Sequence, residues 1–235
     1  ARIAFYRRLG EGDSMYTIEH LPLETDTFGM RSVNYPLLNG RPVEDVASVV
    51  EQFYSQGIEF AHLRLDPSQH EMESKLRKFK FVEVGELWTF KLDIHADYVN
   101  AGQLEASLVR ELNGGALQEL KKLAYESFTQ DRFHRDQRLA SDKSRELKGR
   151  WAINNLLGRA HSNFGLFEDN RLQGFLQVLK RNRHLVIDLV AVSANDRGKG
   201  VGTALVSRTI DQARSLGLAQ VMVGTQGDNI TSQKL

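Results

Sequence analysis

Residues 190–202 read VAVSANDRGKGVG: an apolar strand runs into a polar turn, and three glycines then open a helix. The first amides of a helix have no acceptor within it, and its amino end is the positive end of the dipole, so this end binds anions. The glycines at 198, 200 and 202 let the backbone approach a phosphate, while Arg197 and Lys199 add positive charge. The pattern predicts a site for a diphosphate.

Two common phosphate-binding patterns do not fit this turn. A P-loop needs a glycine five residues before its Gly-Lys pair, where Ser193 stands, and Ser or Thr after the lysine, where Gly200 stands. The dinucleotide fingerprint needs a further glycine three residues after Gly200, and Thr203 stands there. The spacing Arg-x-x-Gly-x-Gly remains, formed by Arg197, Gly200 and Gly202.

The hydrophobic pattern on either side of this turn predicts two α/β parts, residues 1–100 and 104–235, with a boundary near 97–103. In the first part we predict strands over 31–37, 59–65 and 81–92, and helices from Pro42 to about Gly57 and over 70–79. In the second part the predicted strands are 104–111, 163–168, 172–180, 184–192 and 220–225, and the predicted helices are 115–128, 142–157 and 200–216.

Composition excludes several classes of function. The 235 residues are 41% hydrophobic, and 31 basic against 30 acidic side chains give a net charge of +1, which argues against a broad nucleic-acid surface. No apolar run approaches the roughly 18 residues of a membrane span, and no signal peptide is evident. The chain has no cysteine and no HExxH spacing among its seven histidines. We therefore expect a cytoplasmic protein without a metal, a membrane or a nucleic-acid partner.

The loop and the order of elements resemble the GNAT superfamily of N-acetyltransferases, whose coenzyme A loop reads Gln/Arg-x-x-Gly-x-Gly/Ala after a strand that ends in Val. The resemblance covers about residues 104–235. It implies an α/β (α+β) fold with a mixed, mostly antiparallel sheet, beside a smaller N-terminal α/β domain, and acetyl-CoA as co-substrate. It also implies that the backbone of residues 190–192 hydrogen-bonds the pantetheine arm, and that a gap between the strands at 184–192 and 220–225 holds the thioester. The residues it assigns to coenzyme A are Val190, Ala191, Val192, Arg197, Gly198, Lys199, Gly200, Val201, Gly202, Thr203 and Asn229.

Shorter stretches resemble one subgroup, the TDP-fucosamine acetyltransferases, which acetylate the 4-amino group of a nucleotide-linked deoxysugar. They are residues 17–21, 128–133 and 151–155. This resemblance implies a nucleotide amino sugar as acceptor, is compatible with a homodimer, and puts residues 131–150 on the acceptor side. The proposed acceptor contacts are Arg132, Phe133, His134 and Trp151. The alternative for most charges in this region is a solvated helical face, and the alternative for Asn229 is a helix N-cap.

Acetyl transfer by direct attack needs an amine that has lost its ammonium proton. Asp188 is a candidate base because it is a lone carboxylate in an apolar strand, and His184 and His134 are others. The alternative for Asp188 is a solvated or hydrogen-bonded acid. Two other functions stay open: acetylation of a different amine, and acetyl-CoA binding without catalysis.

The ends of the chain also carry expectations. The subgroup places a Tyr general acid seven residues after its pantetheine-contacting Asn, which from Asn229 is position 236, one residue beyond Leu235. We therefore expect the C-terminal end of the fold to be absent from this chain, and the chain as written to turn over poorly. Met15 is a candidate natural start.

Overall fold

The computed structural model describes the backbone of residues 2–9 and residues 18–36, 46–94 and 106–235. Met15, Pro42 and the boundary predicted near 97–103 lie outside these residues. The chain forms two compact units. The first comprises Ala1–Trp88, Gln130–Ser144 and Thr225–Asn229, and the second Thr89–Thr129, Arg145–Gly224 and Ile230–Leu235.

The regular elements follow one another along the chain as numbered here. The strands are β1 (Arg2–Leu9), β2 (Glu19–His20), β3 (Ser32–Pro36), β4 (Phe60–Leu65), β5 (Val82–Asp93), β6 (Arg110–Glu111), β7 (Ser162–Glu168), β8 (Arg171–Lys180), β9 (His184–Val192) and β10 (Gln220–Gln226). The α-helices are α1 (Pro22–Phe28), α2 (Val46–Ser55), α3 (His70–Lys78), α4 (Leu117–Ser127), α5 (Arg132–Arg135), α6 (Ser141–Asn154), α7 (Val201–Ser215) and α8 (Ile230–Gln233).

The first unit is built on a largely parallel sheet in the order β2-β3-β4-β1-β5, in which only the β2–β3 pair is antiparallel. Both faces of β4 are buried. On one face, Leu63 and the residues two positions before and after it pack with Phe53 of α2 and Leu76 of α3. On the other face, Phe60 and His62 contact the ring of Phe133. Cover on both faces is typical of parallel sheets.

The second unit is built on strands in the order β10-β9-β8-β7-β6. Strands β9 and β10 are parallel and the other pairs are antiparallel, so the predicted mixed, mostly antiparallel sheet is confirmed for this unit. Helix α7 packs on one face, with Leu205 and Ile210 in the core. Helix α4 packs on the other, with Leu120 and Ala124 in the core.

Three local predictions were wrong or incomplete. The strand predicted over 104–111 is instead a 3₁₀ turn over Ala106–Leu108 followed by the two residues of β6. Val109 and Leu112 are the buried positions, and their spacing of three does not suit a strand of period two. The helix predicted over 142–157 ends at Asn154 and continues as one π-helical turn, Asn155–Arg159. The short helix α5 was missed, although Asp131 caps it by accepting from Phe133 N at 2.8 Å.

Membrane crossing was tested on the described helices. None of them is both long enough and apolar enough to span a bilayer.

Candidate active site

Strand β9 contains a β-bulge at Asp188. Leu189 lies opposite Gln177 of β8 and Ile187 lies opposite Val178, so Asp188 is an extra residue between them. The bulge changes which face the side chains meet: Ile187 belongs to the core under α7, and Leu189 to the core under α4. Bulges re-aim side chains and are frequent beside active sites.

The bulge coincides with the place where β9 and β10 stop pairing. Their parallel register runs from Gln220 opposite His184 to Val223 opposite Ile187, and no pair follows although β9 continues to Val192. A gap between these strands, as the resemblance implied, therefore begins at the bulge.

Backbone groups of β9 point towards this gap. Ser193 N donates to Gln173 O at 2.8 Å, so Ser193 is hydrogen-bonded to β8. Every second residue of an antiparallel strand bonds to the same neighbour, so Ala191 is hydrogen-bonded to β8 as well. Val190 and Val192 alternate with them, so their N–H and C=O groups point to the other side, where β10 has left. Val192 O accepts a hydrogen bond from Arg197 Nε at 3.3 Å, which agrees with that direction.

The predicted phosphate loop connects β9 to α7. A 3₁₀ turn over Ala194–Asp196 follows the strand, and Gly198 and Gly200 then adopt the left-handed conformation, with φ of 75° and 84°. Residues with a Cβ rarely adopt this conformation, so both positions favour glycine. The first hydrogen bond of α7 runs from Ala204 N to Gly200 O, and no side chain caps the helix. The amides of 201–203 therefore lie ahead of the first helical bond.

A buried ion pair fixes the base of this loop. Asp196 has no exposed surface, and Arg171 reaches both of its oxygens. Lys199 Nζ lies 3.0 Å from Asp196 Oδ1, and Gln173 Nε2 donates to the same oxygen at 3.2 Å. The hydrogen bond from Arg171, and then that from Lys199, hold the pKa of the Asp196 carboxyl well below its usual range against the opposing effect of burial. The acid therefore stays ionised and anchors the loop.

The two glycines and the charges leave a surface suited to an anion. Arg197 and Lys199 are exposed, close along the chain to the first amides of α7. Gly202 has a different role: a Cβ there would lie 2.9 Å from Leu235 Cδ1, so this glycine accommodates the leucine side chain. Thr203 lies on the first turn of α7 and is half-buried.

Asp188 is held by donors from α6 and the π-helical turn after it. Its Oδ2 accepts from Trp151 Nε1 at 2.9 Å, from Asn155 Nδ2 at 2.8 Å and from Arg159 NH1 at 2.6 Å. Asn155 Nδ2 also donates to Gln177 Oε1 at 3.0 Å. The hydrogen-bonded alternative for Asp188 therefore describes its surroundings. Trp151 is half-buried, so of the four predicted acceptor contacts it is the one that the structure puts next to Asp188.

The other three predicted acceptor contacts lie in the first unit. The ring of Phe133 is 1% exposed and packs against Phe28, Phe60 and His62, so it cannot stack on a ligand, and that expectation was wrong. The Arg132 guanidinium lies 4.3 Å from the centroid of the Phe133 ring. His134 Nδ1 lies 3.1 Å from Asp131 Oδ1, and its Nε2 is buried without a partner among the described residues.

Two further predicted residues are placed by their neighbours. His184 pairs with Gln220 at the closed end of the β9–β10 ladder. It lies four residues, about 13 Å, from Asp188, which does not favour it as the base. Asn229 stands directly before α8, the chain position of an N-cap, and its backbone N donates to Gln226 O at 3.0 Å.

Sequence reasoning missed the partners of the two acids. Asn155 lies in a stretch quoted for its resemblance, but neither it nor Arg159 was assigned to the site, and Arg171 was not singled out. An unusual π turn and pairs that join residues 25 to 33 positions apart leave no local pattern in the sequence. The one usable signal was the carboxylate of Asp188 in an apolar strand.

Residues 117–235 match the family model described as "Acetyltransferase (GNAT) family". The spore coat polysaccharide biosynthesis protein SpsD of Bacillus subtilis is 32% identical over 121 residues, which are 52% of this chain and 42% of that protein. The chain thus matches less than half the length of this relative.

The solved structures that match part of this chain are more distant in sequence. The PaiA N-acetyltransferase of Thermoplasma acidophilum, in complex with coenzyme A, is 15% identical, covers 54% of this chain and 83% of its own, and gives a TM-score of 0.45. An acetyltransferase from the GNAT family of Colwellia psychrerythraea is 13% identical, covers 62% of this chain and 48% of its own, and gives a TM-score of 0.46.

Proposed function

Since this chain belongs to the acetyltransferase (GNAT) family, matched over residues 117–235, we propose that it transfers the acetyl group of acetyl-CoA to an amine. The observation that carries the proposal is the coincidence of three features on β9 and α7. These are the gap that opens after Ile187, the backbone groups of Val190 and Val192 that face it, and the anion-binding turn at Gly198–Gly200.

The residues present fit acetyl-CoA. Its pyrophosphate suits the amides that begin α7, with Arg197 and Lys199 as exposed cations beside them. Its pantetheine arm carries amide groups, and a strand edge whose backbone groups are not paired with a neighbouring strand can hydrogen-bond to it as a further strand would. When bound, acetyl-CoA supplies an activated acyl group.

The chain's own groups then act on that thioester. Backbone N–H groups at Val190 and Val192 are placed to stabilise negative charge that develops on the carbonyl oxygen as an amine attacks. Holding both reactants at the gap lowers the entropic cost of the encounter.

For the acceptor we propose an amino sugar linked to a nucleotide. The name of the SpsD relative associates it with spore coat polysaccharide biosynthesis, and the stretches at 128–133 and 151–155 resemble acetyltransferases of nucleotide-linked deoxysugars. Arg132 and Trp151 stay candidates for contacts with this acceptor, and Asn229 for a contact with coenzyme A.

An acetylation screen tests this function. The full protein is incubated with acetyl-CoA and a panel of TDP-4-amino sugars, simple amino sugars and peptide amines, and released thiol is measured. We expect the greatest kcat/KM with a nucleotide amino sugar. Thiol release with another amine alone would redirect the acceptor, and none with any amine while coenzyme A still binds would support binding without catalysis.

A variant tests the donor site separately. Gly200→Glu puts a side chain and a negative charge at the left-handed position that begins α7. Calorimetric affinity for coenzyme A should fall by at least tenfold, and an unchanged affinity would remove the phosphate-site assignment.

A further inference from the structure

The π-helical turn after α6 presents a cation at its last residue. Residues Asn155–Arg159 form this turn, and Gly158 within it has a φ of 120°, a conformation that L side chains rarely adopt. The closing hydrogen bond of the turn runs from Ala160 N to Asn155 O at 3.1 Å, and a glycine with positive φ is common where a helix ends. The turn exposes Leu157 and leaves the side chain of Arg159 44% exposed.

The guanidinium of Arg159 is fixed in orientation along one edge. Its NH1 donates to Asn155 Oδ1 at 2.6 Å and to Asp188 Oδ2 at 2.6 Å, and the group lies 5.5 Å from the centroid of the Trp151 ring. These two bonds use two of its five N–H groups. The other three have no partner among the described residues of the chain, so a preoriented donor edge faces solvent.

A second cation lies on the same indole. Lys148 Nζ is 4.8 Å from the centroid of the Trp151 ring and 5.3 Å from that of Phe128. Arg159 also contacts Asp188, the bulge residue at which the β9–β10 gap begins. The guanidinium of Arg159 therefore contacts the residue at which the gap begins, the gap in which we propose that acetyl transfer occurs.

We propose that Arg159 binds the diphosphate of the acceptor, and that Asp188 is a positioning residue that holds Arg159 and Trp151 for this purpose. The inference rests on the proposed function for the identity of the acceptor. A guanidinium edge matches the spacing of phosphate oxygens. Asp188 Oδ2 accepts three hydrogen bonds, from Trp151, Asn155 and Arg159, and holding these donors is the role its surroundings favour.

Binding of thymidine diphosphate tests the site without relying on turnover. The full chain is saturated with coenzyme A, so that its phosphate loop is filled, and thymidine diphosphate is titrated calorimetrically. Arg159→Gln should weaken binding about 10- to 100-fold, the usual loss for a charge-assisted phosphate contact. The control is Arg208→Gln, which removes another arginine that lies over an aromatic ring, 4.9 Å from the centroid of Phe164.

The outcomes separate this inference from the proposed function. Equal affinities in the wild type and Arg159→Gln, or no binding by the wild type, would overturn the inference. If Arg159→Gln weakens thymidine diphosphate binding, the inference about Arg159 is supported. It stays supported even if the screen finds no acetylated nucleotide sugar, in which case only the proposed acceptor is wrong.

Kinetics test the positioning role of Asp188. With a nucleotide amino sugar, Asp188→Asn should raise the acceptor KM by about tenfold and leave kcat within a few fold, because the amide keeps an acceptor for Trp151 but loses the ion pair with Arg159. The methyl glycoside of the same amino sugar has no diphosphate, so Asp188→Asn should leave the KM for this acceptor unchanged. A collapse of kcat with an unchanged KM would instead identify Asp188 as the base and contradict the proposal.

Discussion

Arg171 donates hydrogen bonds to both carboxylate oxygens of the buried Asp196: NH1 lies 2.5 Å from Oδ2, and NH2 lies 3.1 Å from Oδ1. This pair joins the start of β8 to the turn that precedes α7. The pair fixes the backbone conformation at the start of the phosphate loop, and neither side chain has to contact a ligand to do so.

Replacing Asp196 should destabilise the protein in a pH-dependent way. The folded pKa of Asp196 lies well below the unfolded value of about 3.9, so its stabilisation is present above that value and is lost as pH falls towards the folded pKa. Asp196→Asn should lower the free energy of unfolding at pH 7 by about 1–3 kcal/mol. Denaturant unfolding from pH 7 to pH 2 should show the difference from the wild type shrinking below about pH 4. A constant difference would contradict this account.

Gly200 and Gly217 lie at opposite ends of α7 and both are left-handed, with φ of 84° and 65°. Alanine at either position should cost about 1–2 kcal/mol of stability. Only Gly200→Ala should also weaken coenzyme A binding, because only that end of the helix carries free amides. Paired measurements of unfolding and of coenzyme A affinity check this, and an equal loss of affinity in Gly217→Ala would show that strain alone is responsible.

Phe133 is expected to matter for stability. Its ring is buried among Phe28, Phe60 and His62, so Phe133→Ala should cost about 3–5 kcal/mol. Phe133→Leu should retain most of the packing and leave the acceptor KM unchanged. If Phe133→Leu has normal stability but a raised acceptor KM, the Phe133 ring contributes to acceptor binding and this interpretation is wrong.

His62 should make stability fall on mild acidification. Burial lowers its pKa well below 6.5, and the charges of Arg132 and Arg64 lower it further. Below pH 6.5 the imidazole of the unfolded chain is protonated, whereas that of the folded chain stays neutral. The free energy of unfolding therefore falls by up to about 1.4 kcal/mol per pH unit until the pH reaches the folded pKa. Unfolding curves between pH 7.5 and 5 should show this slope in the wild type and lack it in His62→Leu. The same slope in both would assign it to another group.

Local patterns were sufficient for much of the second unit. The predicted strands at 163–168, 172–180 and 184–192 match β7, β8 and β9 closely, since alternation and turn residues act within a few positions. The turn between β7 and β8, Asp169–Asn170, has positive φ at both residues, 47° and 65°, as is typical of a two-residue hairpin. The glycines of the phosphate loop were also visible, because a left-handed backbone restricts the residue type directly.

Features that depend on register between strands were not visible. The bulge at Asp188 arises because β8 opposes two residues of β9 with one, which the sequence of β9 alone does not reveal. The burial of Phe133 depends on distant aromatic residues of the same unit. The expected homodimer, the cytoplasmic location and the boundary near 97–103 stay predictions.

The bulge at Asp188 also bears on which changes in chain length this protein can tolerate. Leu185 and Ile187 serve one core and Leu189 and Ala191 the other, so the two halves of β9 are out of phase by one residue. Deleting position 188 would remove the bulge and make Ile187 and Leu189 adjacent strand residues, which point to opposite faces as they already do. A single-codon deletion here would therefore leave both cores facing as they do, whereas deleting a residue within either half of β9 would turn part of its apolar side chains to the wrong face.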